Sequence, residues 1–214
     1  MGPEGFLLKF SENDYDKWLL HKTNFKRQGY FVDIGAGDGI IGSNTFLLEK
    51  FYNWQGICVD PNPTFLKSLC GSRDCLVSDL AVYKQSGKVL PFKYLHQHRP
   101  EFIGWNFRSG LAENVDRTSV TFDDHRVFSI TLNDLLELYD APNEIDYVSI
   151  DTEGSEVDIL GNFDFNKYNI KFFTIESNNE ENRNKVIDIM SKNKYNIIED
   201  LESKEDRFEK QLNN

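Results

Sequence analysis

Short apolar runs alternate along the chain with longer stretches whose apolar residues recur at helical spacing. Runs rich in β-branched and aromatic residues lie at 30–34, 56–60 and 76–77, and amphipathic stretches follow the first two at about 43–52 and 64–69. Strands that alternate with helices in this way are typical of parallel sheets. The first part of the chain is therefore predicted to be an α/β unit.

The middle of the chain interrupts this alternation. Residues 87–128 contain scattered glycines and prolines among aromatic and charged residues, which predicts hairpins and loops rather than a crossover helix. The alternation then resumes, with helices predicted at 131–139, from 155 and around 186–190, and strands at 146–151, 171–176 and 196–198.

The segment from 199 to 214 mixes charges and is predicted to be a solvated helix or a frayed end. We therefore expect a single domain over 1–200 with an insert at about 92–128, followed by a polar tail over 201–214. The expected fold is Rossmann-like α/β, with a mostly parallel central sheet, helices on both faces and a loop and hairpin insert.

Length, composition and charge agree with one acidic domain. The chain has 214 residues, of which 39% are hydrophobic, and its formal net charge is −11. A surface that binds nucleic-acid phosphates needs a positive face, so nucleic acid is not an expected partner. No apolar run approaches the roughly 18 residues that a membrane-spanning helix needs. The first residues lack a signal-peptide pattern, so the default expectation is a cytoplasmic location.

A glycine-rich turn follows the first predicted strand. Gly35, Gly37 and Gly39 allow the main chain to approach a ligand where a Cβ would collide. Residues 37–42 formally match the dinucleotide-binding pattern, with Asp60 at about the expected distance beyond it, but that match alone is weak. The turn predicts a ligand at the N-terminus of the following helix.

Acidic residues stand at the carboxyl ends of four predicted strands, and this is the edge where open parallel sheets place their sites: Asp33, Asp60, Asp79 and Asp151. If Asp33 and Asp38 point at the crevice, they repel a pyrophosphate but suit the ammonium and sulfonium of S-adenosylmethionine. Asp60 is expected to accept the ribose hydroxyls, and Asp79 the adenine amino group. A methyl-donor pocket is therefore favoured. A nicotinamide-dependent oxidoreductase and a non-catalytic metabolite-binding module remain the alternatives.

Four motifs, in the same order, resemble those of FkbM-type methyltransferases. They are 31–39 with 43–45 and 48–50, then Asp60-Pro61-Asn62-Pro63, then 146–156, and finally 165–171 with 174–176. Over about 29–200 this resemblance implies a class I S-adenosylmethionine-dependent methyltransferase fold. It also implies O-methylation of a hydroxyl on a sugar, glycan or polyketide-like small molecule. The expected cofactor-binding residues are Asp33, Gly35, Ala36, Gly37, Asp38, Ser43, Asn44, Asp60, Pro61, Asp79, Leu80 and Asp151.

Methyl transfer to an alcohol needs the reacting atoms held in line and a base for the acceptor's proton. We expect Asp151 to orient the acceptor or the cofactor, and Glu153 or a histidine of the insert, such as His125, to be the base. Capping of the following helix is the alternative explanation of Asp151 and Glu153. A divalent metal is not expected. If one is required, its oxygen ligands would be Asp151, Glu153 and Glu176.

The insert is expected to determine the acceptor. Its histidines are candidate bases or metal ligands, although surface histidines are the commoner case: His96, His98 and His125. Its arginines suit an anionic acceptor, and a solvated loop face explains them equally well: Arg99, Arg108, Arg117 and Arg126. Its aromatic residues suit stacking on sugar rings or packing within the insert: Phe102, Trp105 and Phe107.

Overall fold

The computed structural model describes residues 10–11, 13–94, 109–112, 114, 123–198 and 205–211. Its helices are α1 (Tyr15–Lys22), α2 (Phe46–Tyr52), α3 (Pro63–Ser72), α4 (Leu132–Leu138), α5 (Glu156–Leu160) and α6 (Glu180–Lys192). Its strands are β1 (Tyr30–Ile34), β2 (Gln55–Val59), β3 (Leu76–Ser78), β4 (Ala81–Val82), β5 (Val89–Tyr94), β6 (Gly110–Leu111), β7 (Asp123–Ile130), β8 (Glu144–Ile150), β9 (Asn169–Glu176), β10 (Tyr195–Ile198) and β11 (Glu205–Lys210). Within these ranges, no helix has the length and apolar character needed to cross a bilayer.

The central sheet places the ends of three strands side by side. Across the described ranges it has seven strands in the order β10-β11-β9-β8-β1-β2-β3. Strand β11 runs antiparallel to both neighbours, and the remaining pairs are parallel. Ile34 at the end of β1 lies opposite Val59 of β2 and Ile150 of β8. The predicted α/β fold with a mostly parallel sheet is confirmed.

Helices cover both faces of this sheet, as predicted. On one face, α4, α5 and α6 pack against side chains that include Val32, Ile34 and Val148. On the other face, α1, α2 and α3 pack against side chains that include Phe31 and Tyr147. Because side chains alternate along a strand, β1 presents residues 32 and 34 to the first face and 31 and 33 to the second.

A second sheet is formed by part of the predicted insert, with the strand order β4-β7-β5-β6. Strand β5 is antiparallel to both β6 and β7. Tyr83, Phe92, Leu111 and Val127 form a separate buried apolar cluster on this sheet. The antiparallel strands predicted for the middle of the chain are therefore present in its described parts.

The predicted polar tail contains a strand of the central sheet. Strand β11 lies between β10 and β9, with Phe208 opposite Phe173 and only 1% exposed. Asp206, two residues earlier on the same side of the strand, is buried and forms an ion pair with Arg183 of α6. The expectation of a solvated helix or frayed end is wrong for 205–210. The charged residues of this segment hide its strand pattern in the sequence, because one of them, Asp206, is buried and neutralised by an ion pair.

Candidate active site

A cavity lies at the carboxyl ends of β1, β2 and β8, and we call it the strand-end cavity. Its walls come from the turns that follow these strands and from the second sheet. The lining residues are Ile34, Gly35, Gly37, Val59, Asp60, Pro61, Phe65, Leu80, Ala81, Val82, Phe92, Ser109, Gly110, Leu111, Asp151 and Thr152. The cavity encloses about 60 Å³.

The glycine turn packs directly against the end of β8. Gly35 has a φ of +86°, and a Cβ at this position would lie 1.7 Å from the carbonyl oxygen of Asp151. The two segments are held together because the Asp151 N–H donates to the Ile34 carbonyl at 2.9 Å. On the other side, the Gly35 N–H donates to the Val59 carbonyl at 2.9 Å. Only glycine fits here, because both the positive φ and the close approach exclude a side chain.

Asp60 closes the glycine turn onto the end of β2. Its Oδ2 accepts from the Gly37 N–H at 2.8 Å, and its Oδ1 accepts from the Asn62 N–H at 2.8 Å. Burial raises the pKa of Asp60 to about 7, and the nearby carboxylates of Asp33 and Asp38 push it in the same direction. The Asp60 carboxyl therefore titrates near neutral pH.

Arg73 supports the turn from the side of α3. Its side chain is fully buried, and its Nε donates to Glu49 at 2.8 Å. Its Nη2 donates to the Thr45 hydroxyl at 2.9 Å, and its Nη1 to the Gly39 carbonyl at 3.3 Å. This guanidinium connects α2, α3 and the glycine turn, so the turn has a rigid base.

Asp33 belongs to this support and does not line the strand-end cavity. Its Oδ2 accepts from the Thr45 hydroxyl at 2.5 Å, and the residue is only 4% exposed. Burial raises its pKa, and the Arg73 guanidinium opposes that shift. The expectation that this carboxylate points at the crevice is wrong, because strand alternation turns it toward α2. The repulsion of a pyrophosphate inferred from Asp33 therefore has no geometric basis.

Four other predicted cofactor residues hold the local backbone in this structure. Asp38 accepts from the N–H groups of Ile40 and Ile41 at 2.8 and 2.9 Å. Ser43 accepts from the N–H groups of residues 45 and 46 at the start of α2. Asn44 is buried and bonds the hydroxyls of residues 11 and 149, while the N–H of Ala36 donates to the end of β2. None of the four is among the lining residues, and their contact with a cofactor stays a prediction.

The loop after β8 carries Asp151 and Thr152 into the cavity wall. Buried Glu156 shapes this loop, because its Oε1 accepts from the Thr152 N–H, the Thr152 hydroxyl and the Gly154 N–H at 3.0, 2.8 and 3.0 Å. Burial raises the pKa of Glu156. The helix begins where predicted, and the Ser155 hydroxyl makes no cap bond but accepts from Asn114 at 3.1 Å.

A neighbouring cavity, which we call the side cavity, contains four of the predicted site residues. Asp79, Leu80 and His125 line it together with Pro61, and Leu80 and Pro61 also line the strand-end cavity. His125 is exposed on β7, with its ring centroid 6.1 Å from that of Tyr94. Asp79 is thus adjacent to the strand-end cavity, while His125 and Asp151 line different cavities.

The structure does not gather Asp151, Glu153 and Glu176 into a metal site. Among the described residues, no group of three or more His, Cys, Asp or Glu side chains is placed to hold an ion. Several candidates of the insert lie outside the described residues: His96, His98, Arg99, Arg108, Arg117, Phe102, Trp105 and Phe107.

The sequence-based prediction missed most of the apolar wall. Phe65 is buried with Leu69 one helical turn later, so helical spacing could have identified it as facing inward. Ala81 and Val82 directly follow the predicted pair Asp79 and Leu80. No comparable signal marked Ser109–Leu111 or Phe92, because their approach depends on how the second sheet folds back.

Comparison with solved structures gives distant similarities. A precorrin-6y C5,15-methyltransferase from Geobacter metallireducens is 10% identical, with a TM-score of 0.47, over 98% of this chain and 93% of that one. A ribosomal protein L11 methylase from Lactobacillus delbrueckii subsp. bulgaricus is 12% identical, with a TM-score of 0.46, over 93% and 79%. A methyltransferase from Pyrococcus furiosus is 13% identical, with a TM-score of 0.42, over 97% and 84%. At these identities the likeness carries no information on the substrate.

No curated protein matches the chain. A family model described as the methyltransferase FkbM domain matches residues 33–199, nearly the range over which the sequence motifs are found. The predicted class I methyltransferase fold and S-adenosylmethionine as cofactor are confirmed, and the nicotinamide alternative is set aside. The chain belongs to the FkbM methyltransferase family.

Proposed function

We propose that the protein transfers the methyl group of S-adenosylmethionine to a hydroxyl of a sugar, glycan or polyketide-like small molecule, with the cofactor in the strand-end cavity. The observation that carries this proposal is the meeting of Gly35 and Asp151 at the ends of β1 and β8, next to Asp60 at the end of β2. That arrangement joins a close main-chain approach to two carboxyl groups at one sheet edge, which suits a cationic ligand with a ribose.

The residues present fit S-adenosylmethionine. An ionised carboxylate has about four acceptor positions, so Asp60 can accept from the ribose hydroxyls while keeping its bonds to Gly37 and Asn62. Phe65, Leu80 and Val82 offer apolar surface for the adenine ring. Asp79, on the adjoining side cavity, can accept from the adenine amino group.

The described cavity must enlarge to admit this cofactor. It encloses about 60 Å³, whereas small-molecule sites have roughly 300 Å³ or more. We expect β6 to move outward, because it forms one wall and is a two-residue strand at the edge of the second sheet. Asn62 Nδ2 donates to the Ser109 hydroxyl at 3.0 Å at the start of this wall, and this contact would break when the wall moves outward.

When bound, S-adenosylmethionine would supply an electrophilic methyl group on its sulfonium, which an acceptor oxygen could take up. The protein's part is to hold the acceptor in line and to take its proton. We assign the orienting role to Asp151, which lines the cavity. Glu153, two residues later in the same loop, is our candidate base. His125 is the second candidate, and it would act on an acceptor that extends into the side cavity.

The proposal is tested in two steps. Calorimetry should show S-adenosylmethionine binding to the wild-type protein, and Asp60→Ala should weaken it while NAD does not bind. Incubation with methyl-labelled S-adenosylmethionine and a panel of sugars and polyketide alcohols should then give a product whose label is on oxygen by NMR. Label on nitrogen or carbon would contradict O-methylation. Cofactor binding without transfer to any alcohol would favour a binding module.

Asp151→Asn should abolish most turnover while the protein remains folded. Positioning by one charged contact contributes several kcal/mol to catalysis, so we expect a loss of about 100-fold or more. Glu144→Gln is the matched control, because Glu144 is an exposed acid at the opposite end of the same strand. Near-wild-type turnover of Asp151→Asn would remove Asp151 from the mechanism.

A further inference from the structure

We propose that a cavity next to β6 is the acceptor site and that it takes a cyclic alcohol bearing a carboxylate or a phosphate. We call it the lysine cavity. It encloses about 380 Å³, which lies within the usual range of roughly 300–1,000 Å³ for small-molecule sites. This inference rests on the proposed function, because it names the acceptor of the same methyl transfer.

The lysine cavity adjoins the strand-end cavity. Leu111 of β6 lines both of them. Tyr83 lines the lysine cavity and directly follows Val82, which lines the strand-end cavity. Strand β6 is therefore a shared wall, and the outward movement that admits the cofactor would also bring the two spaces together.

The lysine cavity is also connected to the loop that carries Asp151. Lys84 on its rim lies 3.3 Å from Asp158 in the first turn of α5. Asn114, two residues beyond the lining residue Ala112, donates to the Ser155 hydroxyl at the start of the same helix. Lys84 and Asn114 thus link this cavity to the helix that follows the Asp151 loop.

The walls combine an apolar surface with two cations. Tyr83, Leu90 and Leu111 provide a surface on which the C–H face of a sugar ring can pack. Lys84 and Lys88 are both exposed at the rim, so two positive charges lie at the same cavity. The ligand that this wall would bind is therefore a ring with one anionic substituent.

The two lysines have capacity for an anion. In the described part of the chain, no ion pair involves the Lys88 ammonium, although the Lys88 backbone is fixed by hydrogen bonds with Ser129 at 2.8 and 3.1 Å. Lys84 makes a long contact with exposed Asp158 and lies 4.7 Å from the Tyr83 ring centroid. An ammonium has three donors, so Lys88 can bind a carboxylate or phosphate oxygen directly, and Lys84 can do so by exchanging one of its two contacts with Asp158.

The test compares three sugars that differ at one position: D-glucose, D-glucuronate and D-glucose 6-phosphate. Their binding to the full chain is measured by NMR titration with S-adenosylhomocysteine present, so that no turnover occurs. The double variant Lys84→Met/Lys88→Met removes both cations of the cavity. Lys185→Met/Lys192→Met is the matched control, because it removes the same charge from the exposed face of α6.

We expect at least one anionic sugar to bind about tenfold or more tightly than glucose, the effect of a hydrogen bond to a charged group. The preferred one identifies the anion as carboxylate or phosphate. The cavity variant should lose this preference and the α6 control should keep it, with S-adenosylmethionine affinity unchanged in both. The inference would be overturned if glucose bound as tightly as the anionic sugars or if neither anionic sugar bound. It would also be overturned if the cavity variant and the α6 control showed the same preference. Absence of S-adenosylmethionine binding to the wild type would instead overturn the proposed function.

Discussion

Replacing Gly35 by alanine should damage both stability and cofactor binding. The added Cβ would lie 1.7 Å from the Asp151 carbonyl oxygen, a separation at which real Cβ atoms are essentially never found. Neither segment can yield easily, because the Asp151 N–H and the Gly35 N–H are bonded to the neighbouring strand ends. The φ of +86° adds a backbone cost of about 1–2 kcal/mol for a residue with a Cβ. Overpacking adds about 1–3 kcal/mol.

Gly42→Ala separates these two contributions. Gly42 has a φ of +72°, but no atom lies within 4 Å of a Cβ built on it, so its substitution should cost only the backbone part, about 1–2 kcal/mol. Urea unfolding gives the two free energies, and calorimetry gives the affinity for S-adenosylmethionine. We expect Gly35→Ala to be the less stable variant and to bind at least about tenfold more weakly. Equal stability and affinity of the two variants would refute the close approach of Gly35 to Asp151.

Three further predictions concern Arg73 beneath the glycine turn, the titration of Asp60 and the last strand, β11. Arg73→Met should lower the free energy of unfolding by about 3–5 kcal/mol, because it leaves a buried carboxylate without its ion-pair partner. Asp74→Asn, at an exposed ion pair, should cost under about 1 kcal/mol. Urea unfolding measures both free energies. Asp60, with a pKa of about 7, should make S-adenosylmethionine affinity rise with pH up to about 7 and then level off, and calorimetry on Asp60→Asn should show no such rise. The same raised pKa makes wild-type folding less favourable as pH rises from about 4 to 7. Phe208→Ala should cost about 3–5 kcal/mol, and Phe128→Ala, at a 63% exposed residue, under about 0.5 kcal/mol; equal costs would mean that β11 is not part of the sheet.

Most of the central sheet was predictable because its inner strands are buried on both faces, whereas β11 was missed. Strands β1, β8 and β9 are short segments rich in β-branched and aromatic residues between turn signals, and such segments predict buried parallel strands from sequence. Helix α1 was not predicted, although Tyr15 and Leu19 are buried one helical turn apart, because the helix has only eight residues and half of them are polar or charged. The second sheet was predictable as hairpins but not as a wall of the site, because that position depends on long-range packing.

The residues of the site differ in the same way: those that follow a strand end were predictable, and those placed by long-range packing were not. Gly35, Gly37, Asp60, Pro61, Leu80 and Asp151 were predicted and line the strand-end cavity, because each follows a strand end in sequence and so lies at the sheet edge. The lysines of the proposed acceptor site were not singled out. Lys84 and Lys88 are in a short connection with no motif, and only the folding of β5 and β6 beside it creates a cavity there.

Asp33 shows that a strand-end acid lines a site only if it lies beyond the last paired residue. Asp60 and Asp151 follow the last residues of β2 and β8, whereas Asp33 is inside β1 and is paired with Cys58. Alternation between buried neighbours then turns its carboxyl toward Thr45 and Arg73. Asp33→Asn should therefore lower the free energy of unfolding by about 1–3 kcal/mol, the cost of disturbing a buried polar contact. Urea unfolding and calorimetry measure the two effects side by side. Unchanged stability with lost S-adenosylmethionine affinity would mean that Asp33 contacts the cofactor after all.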